Sequence, residues 1–144
     1  MKNREIIATL NGLYALRERE NKREKPDKVF TGRILFAMSR NLRTLEKEYN
    51  ENYVKDLQGI REKYYVAKEE DVTVPANEHD GTEEHTEKRR IEVLKPGCSE
   101  DEYMKELNEL LDIQVDLNIT KVPCSDLDKV YDFKDMDAIE FMVE

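Results

Sequence analysis

The sequence predicts a mainly helical α+β protein: a long antiparallel helical hairpin, then a small unit with a β-hairpin, a helix, a strand and a short C-terminal helix. Three observations carry this. Apolar residues recur at helical spacing from Ile34 to Tyr64, and alternate with polar ones from Ile113 to Thr120. Between those stretches, two β-prone runs flank the dipeptide Asp80-Gly81. At 144 residues, one cooperative core is expected, with residues 1–66 as the hairpin and 67–144 as an acidic unit packed on it.

The first helix starts at Asn3, a residue type suited to an N-cap, and runs to about Arg19 with Ile6, Ile7, Leu10, Leu13 and Tyr14 on one stripe. Asn21 to Asp27 carries no apolar side chain and contains Pro26, so it reads as a charged turn. The second helix has the strongest periodicity. Ile34, Met38, Leu42, Leu45, Tyr49, Tyr53, Leu57, Ile60 and Tyr64 step at a mean of 3.75 residues, nearer an eleven-residue repeat than a heptad. No proline interrupts residues 28–66, and a helix of that extent is about 55 Å long. The shorter first helix covers only part of its seam, which leaves the distal tyrosines wanting cover. Gly59 marks a weak point or a close neighbour.

Val72-Thr73-Val74-Pro75 and Arg90-Ile91-Glu92-Val93-Leu94 read as the two arms of the hairpin. Ser99 and Glu102 have the spacing of a capping box for a third helix, with Tyr103, Met104, Leu107, Leu110 and Leu111 inward. Ile113, Val115, Leu117 and Ile119 then alternate with Gln114, Asp116, Asn118 and Thr120, the pattern of a strand with one wet face. Pro123 and Ser125-Asp126 break it. Asp135 is placed to cap a last helix whose Met136, Ile139 and Met142 face inward.

Charge is divided along the chain. Residues 1–65 hold 15 basic and 10 acidic side chains and residues 66–144 hold 9 and 23, which gives +5 and −14. Such a molecule suits an acidic surface at one end and a basic one at the other. No apolar run reaches the roughly 18 residues a membrane span needs, and the first residues lack the apolar core of a secretion signal, so a cytoplasmic protein is expected. Cys98 and Cys124 then read as reduced thiols.

Chemistry is sparse. His79 and His85 with the two cysteines are enough donors for zinc, but the cysteines lie 26 residues apart and form no close ligand pair. Residues 78–87 lack the calcium-loop order, and no nucleophile elbow or phosphate-cradling glycine loop is present. The expectation is a protein without catalytic residues, cofactor or metal. The basic group Arg17, Arg19, Lys22, Arg23, Lys25 and Lys28, with Arg33, Arg40 and Arg43, is diluted by Glu18, Glu20, Glu24 and Asp27, which argues against direct nucleic-acid binding.

Two surfaces remain. Tyr49, Tyr53, Leu57, Ile60, Tyr64 and Tyr65 on the long helix are amphipathic residues of the kind enriched at protein interfaces. Glu83, Glu84, Glu87, Glu100, Asp101 and Glu102 form an alternative acidic interface able to occupy the basic groove of a nucleic-acid enzyme.

The run Glu106-Leu107-Asn108-Glu109-Leu110-Leu111, the alternating Ile113 to Leu117, Ser125-Asp126-Leu127 and the terminal Ile139-Glu140-Phe141-Met142-Val143 resemble a group of small uncharacterised phage and prophage proteins of low-GC Gram-positive bacteria. Residues 78–87 depart most from that pattern. The resemblance implies a phage context without a reaction. Together these readings point to a non-enzymatic phage accessory or assembly protein that binds a protein partner or forms a homo-oligomer. The alternative is a small acidic inhibitor of a host defence or nucleic-acid-processing enzyme.

Overall fold

The computed structural model describes residues 1–79 and 81–144. Its helices are α1 (Asn3–Lys22), α2 (Gly32–Glu48), α3 (Val54–Tyr64), α4 (Glu100–Leu111) and α5 (Phe133–Ile139). Strands β1 (Tyr65–Val74) and β2 (His85–Leu94) form a two-stranded antiparallel sheet, so the class is mainly helical α+β, as the sequence predicts. The chain divides into two compact units, one of Met1–Asp56 with Asn108–Glu144 and one of Leu57–Leu107. The compositional break at residue 66 falls inside the second.

The first unit is built on the α1 stripe of Ile6, Leu10, Leu13 and Leu16 and the α2 stripe of Ile34, Ala37, Met38, Leu42 and Leu45. Val122, Leu127, Val130, Ile139 and Met142 complete the core. Thr31 caps α2, its Oγ1 accepting from the Ile34 amide at 3.4 Å. Asn3, expected to cap α1, instead lies within it. It is buried and donates from Nδ2 to the Leu110 carbonyl at 2.8 Å, while the Glu5 carboxylate accepts from the Lys2 amide at 2.6 Å.

Residues 32–64 are helical throughout, but Tyr49–Tyr53 forms a π-helical turn between α2 and α3. The apolar spacing explains it. Leu45, Tyr49, Tyr53 and Leu57 follow at intervals of four, and in an α-helix each such step overshoots one turn by about 40°. A run of fours therefore walks off its face. The wider π turn takes up the excess, so Leu45 and Tyr53 are both buried and Tyr49 stacks on Tyr53 with ring centroids 5.4 Å apart.

The alternating segment 113–120 is not a strand. Only isolated bridges occur beside it, Lys2 with Gln114 and Val122 with Val143. Its burial does alternate: Val115, Leu117 and Ile119 pack on the core while Gln114, Asp116 and Asn118 face water. Ile113 breaks the pattern at 49% exposed. The periodicity therefore reports one covered face and not a hydrogen-bonded ladder. Backbone groups are satisfied singly. The Asn3 amide donates to the Ile113 carbonyl at 3.1 Å and the Val115 amide to the Met1 carbonyl at 2.7 Å. The fully buried Asn41 then pairs with Thr120 in both directions. Its Nδ2 donates to the Thr120 carbonyl at 2.9 Å, and its Oδ1 accepts from the Thr120 amide at 2.8 Å.

Asp132, not Asp135, caps α5, accepting from the Lys134 amide at 2.7 Å. Asp135 is instead buried in an ion-pair cluster, within 2.9 Å of Arg19 Nη2 and 2.5 Å of Arg23 Nη2. Arg23 Nη1 lies 3.5 Å from the buried Glu20 carboxylate, which also accepts from the Phe30 amide at 2.9 Å. Two charged turns of α1 are thereby tied to α5 and to the chain entering α2.

In the second unit β1 and β2 pair over ten positions, from Tyr65 opposite Leu94 to Val74 opposite His85, longer than the arms expected. Of the expected Asp80-Gly81 turn, Gly81 has φ +71°, the left-handed backbone that favours glycine, while Asp80 lies outside the described residues. Ser99 caps α4, its Oγ accepting from the Glu102 amide at 3.2 Å. Tyr103 of α4 is buried as expected, whereas Met104 is 42% exposed. Gly59 has no close neighbour, since a Cβ built there meets nothing within 4 Å.

Two stability measurements test this architecture by urea unfolding. Asn41→Ala strands the amide and carbonyl of Thr120 and should lower the unfolding free energy by about 2 kcal/mol or more. Gly59→Ala should raise it by up to about 1 kcal/mol, because helix propensity improves in open space.

Candidate functional site

The tyrosine seam is not presented as one open stripe. Tyr53 and Tyr64 are buried, and Tyr49, Leu57, Ile60 and Tyr65 are half-buried. Tyr49 and Tyr53 cover one another in the first unit. In the second, Tyr64 and Tyr65 meet Tyr103 edge-on at 6.0 and 5.1 Å. The Arg61 guanidinium lies 5.5 Å from the Tyr65 ring, donates to the Tyr103 hydroxyl at 3.2 Å and pairs with Glu92. Lys63 likewise pairs with Glu106 and lies 5.4 Å from the Tyr64 ring. The chain thus supplies from α4 much of the cover that the sequence left open.

The acidic residues are exposed, and no hydrogen bond or ion pair among the described residues links the hairpin acids to those of α4. Glu100, Asp101 and Glu102 occupy the first turn of α4, where negative charge favours the helix end. Glu83, Glu84 and Glu87 lie at the start of the second hairpin arm. Glu87 Oε1 is 2.6 Å from His85 Nε2, and His85 Nδ1 is 2.8 Å from the Glu83 carbonyl. The Glu83 carbonyl, with the Glu87 carboxylate after it, pushes the His85 pKa above its ordinary 6.5, and His85 in turn lowers that of Glu87. Among the described residues no group of three or more His, Cys, Asp or Glu side chains is arranged to hold a metal, and both cysteines are free.

The basic group is also redistributed. Arg19 and Arg23 are spent on Asp135, Lys28 donates to the Glu20 carbonyl, and Arg17 lies over the Tyr14 ring at 5.3 Å. On α2, Arg33, Arg40 and Arg43 are exposed, with Arg33 Nη1 3.5 Å from the Asp126 carboxylate. Between them lie two residues that the seam did not flag, Leu35 at 45% and Phe36 at 62% exposed. Phe36 stands two residues after the buried Ile34 and hence on the far side of the helix. The Arg40 guanidinium sits 5.8 Å over its ring. A cleft of about 130 Å³ beside this face is lined by Arg17, Glu20, Asn21, Leu35, Met38, Ser39 and Leu42.

A sequence signal for this face exists. Residues 28–45 contain four basic side chains and no acidic one, in a chain with 33 acidic residues. Within that window Leu35 and Phe36 are the large apolar residues off the buried stripe. Helix α2 therefore presents an apolar patch in a basic frame, a combination that complements an acidic partner surface with apolar side chains of its own.

Among the described residues, no helix is long and apolar enough to cross a membrane. No protein-family model, curated protein or solved structure matches the chain.

The hairpin histidine gives a direct check. In an NMR pH titration His85 should titrate above 6.5, and Glu87→Gln should move it back toward that value. Because the folded-state pKa is the higher one, the stabilisation of the hairpin is complete below pH 6.5 and is lost as pH rises through the raised value. A His85 pKa at or below 6.5 would contradict the geometry.

Proposed function

We propose that the chain acts without catalysis, by binding another protein through the outward face of α2, as a cytoplasmic accessory or assembly protein of the phage type it resembles. The observation that supports this is the exposed Leu35-Phe36 pair framed by Arg33, Arg40 and Arg43, in the acid-free window of an otherwise acidic chain. Aromatic and arginine side chains dominate binding hot spots because they bury large areas while keeping directional contacts. Arg40 over Phe36 holds both in place before a partner arrives, which lowers the ordering cost of binding.

The second reading, an acidic inhibitor of a basic host enzyme, is supported by the exposure of Glu83, Glu84, Glu100, Asp101 and Glu102. The two differ in which substitution abolishes binding. A partner isolated from host cells, identified and purified, is titrated against the wild-type chain, Phe36→Ser, and Glu100→Gln with Asp101→Gln. On the α2 reading, Phe36→Ser weakens affinity by about 30-fold with little change in unfolding midpoint, and the acidic variant binds normally. Loss confined to the acidic variant would favour the inhibitor. Unchanged binding by Phe36→Ser and by Arg40→Glu would refute the α2 interface.

A further inference from the structure

We propose that two copies of this chain dock face to face through the β1–β2 ribbon, a surface separate from the α2 face. The pairing register decides which residues share a side. Val66, Val72 and Val74 of β1 fall on the same face as Ile91 and Val93 of β2, so every valine and isoleucine of the ribbon is on one side. The reverse side carries Glu69, Asp71, Lys88 and Arg90 with two threonines, Thr73 opposite Thr86. At the base of that polar side, Tyr65 and Glu92 meet Tyr103 and Arg61. The valine side is open enough that Val66 is 46% exposed.

A two-stranded ribbon whose apolar face is only partly covered, with Val66 exposed and Val72, Val74, Ile91 and Val93 half-buried, is marginal in water and gains most from a second layer. Its charges indicate what that layer is. Apart from His85, which sits beside Glu87, the charged residues of this face are Lys68, Glu70, Glu87 and Arg89, which sum to zero, with Glu70 directly opposite Arg89 at mid-ribbon and Arg89 Nη2 3.8 Å from the Glu87 carboxylate. A uniformly acidic or basic partner would set like charge against one member of that central pair. A second copy does not. With a two-fold axis running along the ribbon, β1 of each copy lies over β2 of the other. Glu70 then meets Arg89 of its mate twice over, and Val66 meets Val93. The contact is isologous and closes on itself, so it gives a dimer and not a filament.

The test is the mass in solution, by sedimentation or light scattering, over a range of concentration. The wild-type chain should reach twice its 17.1 kDa. Glu70→Arg and Arg89→Glu should each weaken dimerisation by at least about tenfold, since each sets like charges across the axis. An equimolar mixture of those two variants should recover a heterodimer, because each supplies the charge the other lacks. Asp71→Arg with Lys88→Glu on the reverse face, and Phe36→Ser on α2, should leave the dimer intact.

A wild-type chain that stays monomeric overturns the proposal. So does a dimer indifferent to the Glu70 and Arg89 changes, a mixture that fails to associate, or a dimer lost in the reverse-face variant. A dimer lost through Phe36→Ser would show that copies meet through α2, which also overturns the ribbon contact. Retention of the dimer with loss of a foreign partner in Phe36→Ser keeps the two surfaces distinct.

Discussion

Asn41 is a fully buried polar side chain among the apolar residues of α2, and the closing of the first unit depends on it. The segment 113–122 crosses that unit without a strand beside it, so its backbone groups have to be satisfied one at a time. Asn3 serves Ile113, Met1 serves Val115, and Val122 is held between the Met142 carbonyl and the Glu144 amide at 2.8 and 2.9 Å. Thr120 is answered by a side chain at the middle of α2, fully buried, that both donates and accepts. Only a carboxamide offers that pair of groups in one plane. A carboxylate lacks the donor, and an apolar residue lacks both. Without this contact the chain would have to place Ile119 and Val122 against the core while leaving a backbone amide and carbonyl unpaired there.

The same economy governs the charges of the first unit. Glu20 and Asp135 are buried, and each has an arginine and further donors within reach. This is the condition under which buried carboxylates are tolerable. It also explains why Arg19 and Arg23 of the basic group are committed to the fold. The α2 face stays exposed alongside Arg17, Lys22 and Lys25. There, arginine meets phenylalanine and leucine with no acid on the same eighteen residues.

Much of the architecture was legible in the sequence. Helical periodicity placed α1 and the continuous helical run 32–64, β-branched runs placed the hairpin, and Ser99 placed the start of α4. Periodicity was weaker as a guide to what lies opposite. The alternation after Ile113 recorded a half-covered chain, and nothing local distinguishes that from a strand. Asn3 and Asp135 are residue types that cap helices, yet each is used in a contact more than 100 positions away in sequence, and Asp132 took the cap expected of Asp135. The repeated steps of four at Leu45, Tyr49 and Tyr53 did contain the π turn in outline, as a mean spacing too long for an ideal α-helix. The surfaces were the least legible, because exposure of Phe36 and burial of Tyr64 depend on which neighbours arrive, and those come from distant segments.

The Asn41 side chain holds Thr120 as firmly as a ladder holds a residue inside a sheet. Amide hydrogen exchange on the intact chain measures this directly. The Thr120 amide should exchange as slowly as the buried amides of α2, while neighbouring solvent-facing amides exchange freely. Fast exchange of Thr120, at the rate of its exposed neighbours, would contradict it.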